Sequence, residues 1–227
     1  PAGRTAPNLV KSGIRGQRVL TTDVVMTYFN MEDPVVGGYT PEKIALRRAI
    51  IMAYPIDDYV RIVWRNQATP ANQILPPTQT GHIPNKPNLN GNDVPLARAL
   101  LDHFGYKDRD GDGYREMPDG APMTITYVVG SSGTSRQLGE IWKKSMDAIG
   151  VRLSIETMRT PDLRKAARQG QGKMAREGWN ADYPDAENFF QMLITATAQP
   201  GGENYARFQF KDMDQRYKKI YAMPTGP

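Results

Sequence analysis

Between Leu138 and Ile149, apolar or small side chains recur at Leu138, Ile141, Trp142, Ser145, Met146 and Ile149. The spacings three, four, seven, eight and eleven trace one face of an α-helix. Before this stretch, Met123–Val129 is a β-branched and aromatic run that predicts a strand, and Gly130–Gly133 turns the chain. After it, Gly150 stops the helix and Val151–Glu156 alternates apolar with polar, predicting a second strand. Strand, helix and strand with tight connections make a right-handed crossover, the unit of a parallel sheet.

The same reading extends along the chain. Val24–Phe29 is the strand expected near the start, and Asp33-Pro34 and Gly37-Gly38 break the pattern after it. Thr40-Pro41-Glu42 predicts a helix start, with Ile44, Ala45, Ala49, Met52 and Ala53 as its inward stripe and Pro55 as its end. A second helix is expected over 57–65, carrying Val60, Val63 and Trp64. Thr69–Asn92 holds five prolines and no periodicity, so it is expected to lie irregularly over the surface. Asn92 or Asp93 then caps a helix to Phe104, stopped by Gly105, with Leu96, Ala99 and Leu100 on its apolar side. A short helix from Thr160-Pro161, a strand over 173–179 and a helix over 186–196 complete an α/β class. Residues 1–23 read as a linker, its first sixteen rich in Gly, Pro and basic residues, and 24–227 as one α/β lobe.

Composition narrows the functional classes. The 227 residues are 39% hydrophobic and 23% charged, ordinary for a globular protein. The longest mostly apolar stretch, Ile44–Tyr54, is interrupted by Arg47 and Arg48 and is too short to cross a bilayer. The net charge of +5 is scattered, with no basic stripe interleaved with aromatics, so nucleic acid is not an expected partner. With no cysteine, disulfides, thiolate nucleophiles and cysteine metal sites are all excluded. The start Pro1-Ala2-Gly3-Arg4 is unlike a signal peptide, so either one has been removed or the chain begins inside a larger protein, the second being the expectation.

Three patterns could carry chemistry. Catalysis has little support: His82 and His103 lie in no basic-catalyst context, Gly130-Ser131-Ser132-Gly133 is not a nucleophile elbow, and no phosphate-binding loop occurs. The acid pairs Asp57-Asp58 and Asp182/Asp185 have spacing alone to recommend them, so the chain is not expected to be an enzyme. The second pattern is Asp108–Asp119. Asp108, Asp110, Asp112, Glu116 and Asp119 stand at loop positions 1, 3, 5, 9 and 12, Gly113 at 6 and the Tyr114 carbonyl at 7, the ligand spacing of a twelve-residue Ca2+ loop. Asp in place of Glu at the last position, and a strand rather than a helix beyond, weigh against the ion, and the alternative is a surface loop shaped by Asp/Gly turn chemistry. The third is Arg176–Asp185. Asp182, Arg176 and Trp179 offer an anion, a cation and a flat apolar wall at a strand end, what an extended peptide needs. A Trp packed in the core with an Asp capping the next helix explains the same residues.

Gly178-Trp179-Asn180-Ala181-Asp182-Tyr183-Pro184-Asp185 resembles the Gly-Trp-x-Ala-Asp-Tyr-x-x segment of the oligopeptide- and dipeptide-binding proteins, family 5 of the bacterial extracellular solute-binding proteins. Phe29-Asn30-Met31 with Ala45–Ile50, then Ala97–Gly105, Asp108–Asp119 and Gly150-Val151, and finally Phe208–Tyr217 are similar to the same family in the same order. The resemblance spans residues 24–221 and is to the carboxy-terminal lobe.

It implies a periplasmic binding protein type II-like lobe, a mixed sheet flanked by helices, whose other, amino-terminal lobe is absent from this chain. It implies a periplasmic component of an ABC importer that closes over a peptide and docks on a membrane permease. By resemblance the ligand-binding residues are Asp182 for the peptide ammonium, Arg176 for carboxylates and Trp179 as a pocket wall, with Asn180 and Tyr183 beside them. Asn180 and Pro184 fall at variable positions and Pro55 stands where an acid is common. These departures leave a sugar, an opine or a metal chelate open as the solute. No cofactor is implied, apart from Ca2+ at the acidic loop.

Overall fold

The computed structural model of the protein describes residues 5–88 and 91–223, so residues 1–4, 89–90 and 224–227 of the expected irregular and terminal stretches lie outside it. Its framework is a four-stranded mixed sheet in the order β1-β4-β2-β3, from β1 (Asp23–Phe29), β2 (Thr124–Gly130), β3 (Arg152–Met158) and β4 (Met174–Asn180). β2 runs parallel to both β3 and β4, and β1 is antiparallel to β4. The mixed α/β architecture and helix-flanked sheet expected above are the ones observed. The short α1 (Pro7–Lys11) buries no residue, and the region before β1 is almost wholly exposed.

Helices cover both faces because the two crossovers leave the sheet on opposite sides. α5 (Gly133–Ala148) joins β2 to β3 and packs Leu138, Trp142 and Met146 against Ile125, Tyr127 and Leu153. Ser132 caps it, its hydroxyl accepting from the Ser135 N–H at 3.1 Å. On the same face lie α2 (Pro41–Ala53), α3 (Ile56–Ile62) and α4 (Val94–His103), making the largest core cluster. α6 (Thr160–Arg168) returns over the other face, where Leu163 packs near Tyr28, Val128 and Ala175. Gly105 and Gly150, at φ +82° and +67°, take the left-handed turns that stop α4 and α5.

Several expectations shift in detail. In α4 the buried stripe is Ala97 and Leu101, while Leu96 is 55% exposed, because the helix meets α2 one residue away from the anticipated side. Asp93 is its cap, accepting from Leu96 N at 2.9 Å. In α2, Leu46 and Ile50 are buried and Ile44 is exposed. Thr40 holds the N-cap position without a hydroxyl-to-backbone cap bond. The helix expected over 186–196 is a single turn, α7 (Glu187–Phe190), followed by a 3-10 turn at Thr195–Thr197. There Phe189, Met192 and Ile194 are buried, and Asn204 Nδ2 and Thr197 Oγ1 take up the Ile194 carbonyl. Backbone bonds to the carbonyl three residues back, such as Met192 N–H to Phe189 and Leu193 N–H to Phe190, replace the α-helical ladder, and these side-chain donors supplement them. A further helix, α8 (Lys211–Ala222), rests on α7 and has no fully buried residue.

Candidate functional site

Register places the site. Tyr127 pairs with Met174 and Val128 with Ala175, so β4 overruns the end of β2 and its last residues pair with β1 alone, Val24 opposite Trp179 and Asp23 opposite Asn180. The chain then turns through 181–186 at the carboxyl end of the parallel strands, where α/β sheets place ligands.

Asn188, on α7, organises that turn. It is 1% exposed, and its Oδ1 accepts from the Trp179 indole Nε1–H at 2.8 Å and from the Asp182 backbone N–H at 3.1 Å. Its Nδ2 donates to Asp182 Oδ2 at 3.1 Å. Indole and carboxylate are therefore held by one buried amide. Asp182 itself is exposed and makes no salt bridge with any described residue. The Trp179 ring is half-buried against Val24, Leu75, Ala186, Phe189 and Met192. The N-cap position of α7 is Ala186, with no side-chain cap; just before it Asp185 Oδ1 accepts from Glu187 N at 2.8 Å in a local turn, so Asp182 is not spent on capping.

The exposed Tyr183 donates its hydroxyl to Glu187, whose second carboxylate oxygen takes the Tyr217 hydroxyl of α8. Both phenols are pushed up: Tyr183 chiefly by its bond to Glu187, Tyr217 by burial first and then by the same carboxylate. This bridge ties α8 to the site loop. The strap 75–82 presses on the loop from the other side, with Thr80 Oγ1 donating to the Pro184 carbonyl at 3.2 Å.

Arg176 and Asn180 stand apart from this group. Alternate residues of a strand point to opposite faces, so Trp179 and Arg176, three apart on β4, cannot share one. Arg176 lies with its guanidinium 5.9 Å from the centre of the Trp64 ring, and its charge reaches Tyr54 and Tyr127, whose phenols are pushed up mainly by burial. Asn180, on the same face as Arg176, accepts from Thr22 Oγ1 at 2.8 Å. Of the five residues anticipated at the site, the structure gathers Asp182, Trp179 and Tyr183 on one side of the β4 end and sets Arg176 and Asn180 on the other. Asn188 and Glu187 went unnoticed in the sequence. An Asn six residues beyond an Asp carries no signal until α7 folds it back.

The acidic loop lies at the opposite end of the sheet, before the first residues of β2 and β3. Carboxylates of Asp108, Asp110 and Glu116 come within 4.8 Å of one another. Asp112 turns away to Arg152, and Asp119 accepts from Ala121 N at 3.0 Å. Asp108 also takes the N–H groups of Gly111 and Gly113, at 2.8 and 2.9 Å, and Glu116 that of Arg109 at 2.7 Å. The Tyr114 ring lies under Arg152, whose guanidinium carbon is 4.1 Å from its centre. A cavity of about 250 Å³ opens here, lined in part by Asp110, Tyr114, Glu116 and Arg152, far from Asp182.

The chain matches known proteins over most of its length. The family model described as bacterial extracellular solute-binding proteins, family 5 Middle, covers residues 1–201. A di/tripeptide-binding protein 2 of Pseudomonas aeruginosa is 28% identical over 179 residues, 77% of this chain and 31% of that protein. The dipeptide-binding protein of Escherichia coli is 24% identical over 173 residues, 76% of this chain and 31% of that protein. Among solved structures, the Bacillus subtilis oligopeptide-binding protein AppA with a nonapeptide superposes with a TM-score of 0.79 at 16% identity, covering 96% of this chain and 43% of that one. The Helicobacter pylori periplasmic binding protein DppA with the peptide STSA gives 0.73 at 22%, covering 88% and 35%. The chain thus spans about a third of the length of the curated relatives, and among the described residues no helix is long and apolar enough to cross a membrane. On the extent of the family match, the chain belongs to the bacterial extracellular solute-binding proteins of family 5.

Proposed function

We propose that this chain is one lobe of the solute-binding component of an ABC importer, and that it captures peptides by their free amino end at Asp182. The observation that carries the reading is the state of that carboxylate. It is exposed, tethered by Asn188 through one oxygen and paired with no cation among the described residues, at the overrun end of β4 beside an indole. The relatives named for di- and tripeptides support the ligand class. The amino-terminal lobe of the full-length protein closes the other side of the cleft. Closure removes water from the ammonium–carboxylate pair, and losing one partner of such a desolvated pair costs about 2–5 kcal/mol. Arg176 and Asn180, on the opposite face of β4, line a second side of the cleft and meet the far end of the ligand.

The role is capture without chemistry, outside the cytoplasmic membrane, followed by docking on a permease. Calorimetry on the full-length protein tests the ligand. Trialanine binds, N-acetyl-trialanine does not, and Asp182→Ala weakens trialanine by roughly 30-fold or more. Equal affinity for both peptides, or an unaffected variant, removes the reading. Mass spectrometry of trialanine after prolonged incubation returns it intact; cleavage would instead reveal an enzyme.

A second reading concerns the acidic loop, and rests on the convergence of Asp108, Asp110 and Glu116. Ca2+ bound there would use these carboxylates with the Tyr114 carbonyl, as a structural clasp at the starts of β2 and β3. Asp112 and Asp119 would have to leave their present partners to join. Melting curves in Ca2+ and in chelator decide: an upward shift with Ca2+ supports the clasp, and coincident curves reject it.

A further inference from the structure

We infer that Asn188 is a positioning residue for ligand capture: it locks the Asp182 carboxylate and the Trp179 indole into one preformed unit and leaves Asp182 Oδ1 for the ligand. The inference rests on the ammonium reading of Asp182 and adds what makes that carboxylate selective. Three hydrogen bonds of 2.8–3.1 Å converge on one side-chain amide, and they use its acceptor twice and its donor once. The amide is buried, and α7 is anchored next to it by the fully buried Phe189. Its own orientation is set by its place in α7, where Asn188 N donates to the Asp185 carbonyl at 3.3 Å and Gln191 Nε2 to the Asn188 carbonyl at 2.8 Å.

The geometry is selective in what it engages. Only Oδ2 of Asp182 meets the amide; among the described residues nothing donates to Oδ1. A carboxylate held by its main-chain N–H and by one oxygen has lost most of its rotamer freedom before the ligand arrives, and that ordering cost is then absent from binding. Replacing Asn188 by a residue without these groups frees the carboxylate. It also leaves the indole N–H and the Asp182 N–H to find water.

The test is a double-mutant cycle on the full-length protein, titrated with trialanine and N-acetyl-trialanine. Asn188→Leu keeps the branched shape and heavy-atom count of the side chain without its polar groups, and Asn188→Ala admits water and serves if the bulkier leucine variant does not fold by circular dichroism. Trialanine affinity is expected to fall roughly tenfold, the equivalent of one hydrogen bond to a charged group. The fall should vanish in the Asp182→Ala background, because Asn188 acts through that carboxylate. The Trp179 indole N–H resonance, assigned with Trp179→Phe, should move upfield in the ligand-free variant. Unchanged trialanine affinity in a folded variant, a loss that persists in the Asp182→Ala background, or unfolding of both variants would each overturn the inference. If Asp182→Ala itself has no effect, it is the ammonium reading that fails, and the inference falls with it.

Discussion

At the scale of single residues, Asp182 is one of the acids that meet no cation among the described residues, and what marks it out is the buried amide that holds its carboxylate. Asp58, Asp102, Asp112, Asp147 and Glu203 each meet an Arg or Lys. Asp182 meets an amide, which orients it without neutralising it. Glu177, two residues before Trp179 and on the same face of β4, shows the opposite treatment. It is half-buried, its Oε1 accepts from the N–H of Gly178 at 3.1 Å, and burial pushes its carboxyl above the usual range, with the Glu203 charge adding to the effect. In that range of pH the folded protein holds a proton that the unfolded chain has released, so stability declines as pH rises through the raised value. Glu177→Gln is therefore expected to be more stable than the parent at neutral pH and to lose this part of the pH slope. Urea midpoints of the two proteins across about pH 4 to 8 check this; parallel curves would show that the carboxyl is free of the burial effect.

At the scale of elements, α5 is the brace behind β2. Trp142 stacks on Tyr54 at 4.0 Å between ring centres and lies 5.8 Å from Tyr127, so one side chain ties α5 to the end of α2 and to the sheet. Trp142→Ala should cost about 3–5 kcal/mol by urea denaturation, the range for deleting a buried aromatic. A loss under about 1 kcal/mol would mean that the neighbours collapse into the space. This helix was the most readable element in the sequence, because a single stripe repeats over three turns with a glycine at its end. α4 was readable as a helix but not in its facing: Leu96 and Leu101 are equally apolar, and only the approach of α2 decides which is covered. α8 gave little warning, since Met213, Tyr217 and Ile220 are its whole inner face and all three are only partly buried. The spacing over 186–196 predicts a helix, whereas the chain there forms short three-residue backbone turns, a difference that apolar periodicity alone does not distinguish.

At the scale of the molecule, the site lies open on this chain. Asp182 and Tyr183 are exposed and Trp179 is covered on its inner side only, so a ligand on this chain alone would stay in contact with water. The 227-residue chain by itself should bind trialanine at least about a hundredfold more weakly than the full-length protein, since screening by water leaves an exposed ion pair worth about 0–1 kcal/mol. Equal affinities in calorimetry would mean that this lobe suffices.

The α/β class, the crossover through α5 and the candidate segment around Asp182 were all set by local order: stripe periods, glycine stops, and the run from Gly178 to Asp185. Such features survive in one dimension because they join neighbours in the chain. Which face of β4 each site residue occupies, and the bond between Asn188 and both Trp179 and Asp182, were decided by the fold. Strand pairing with β1 fixes the first, and the turn into α7 fixes the second. Both depend on contacts between segments whose distance from one another no sequence spacing encodes.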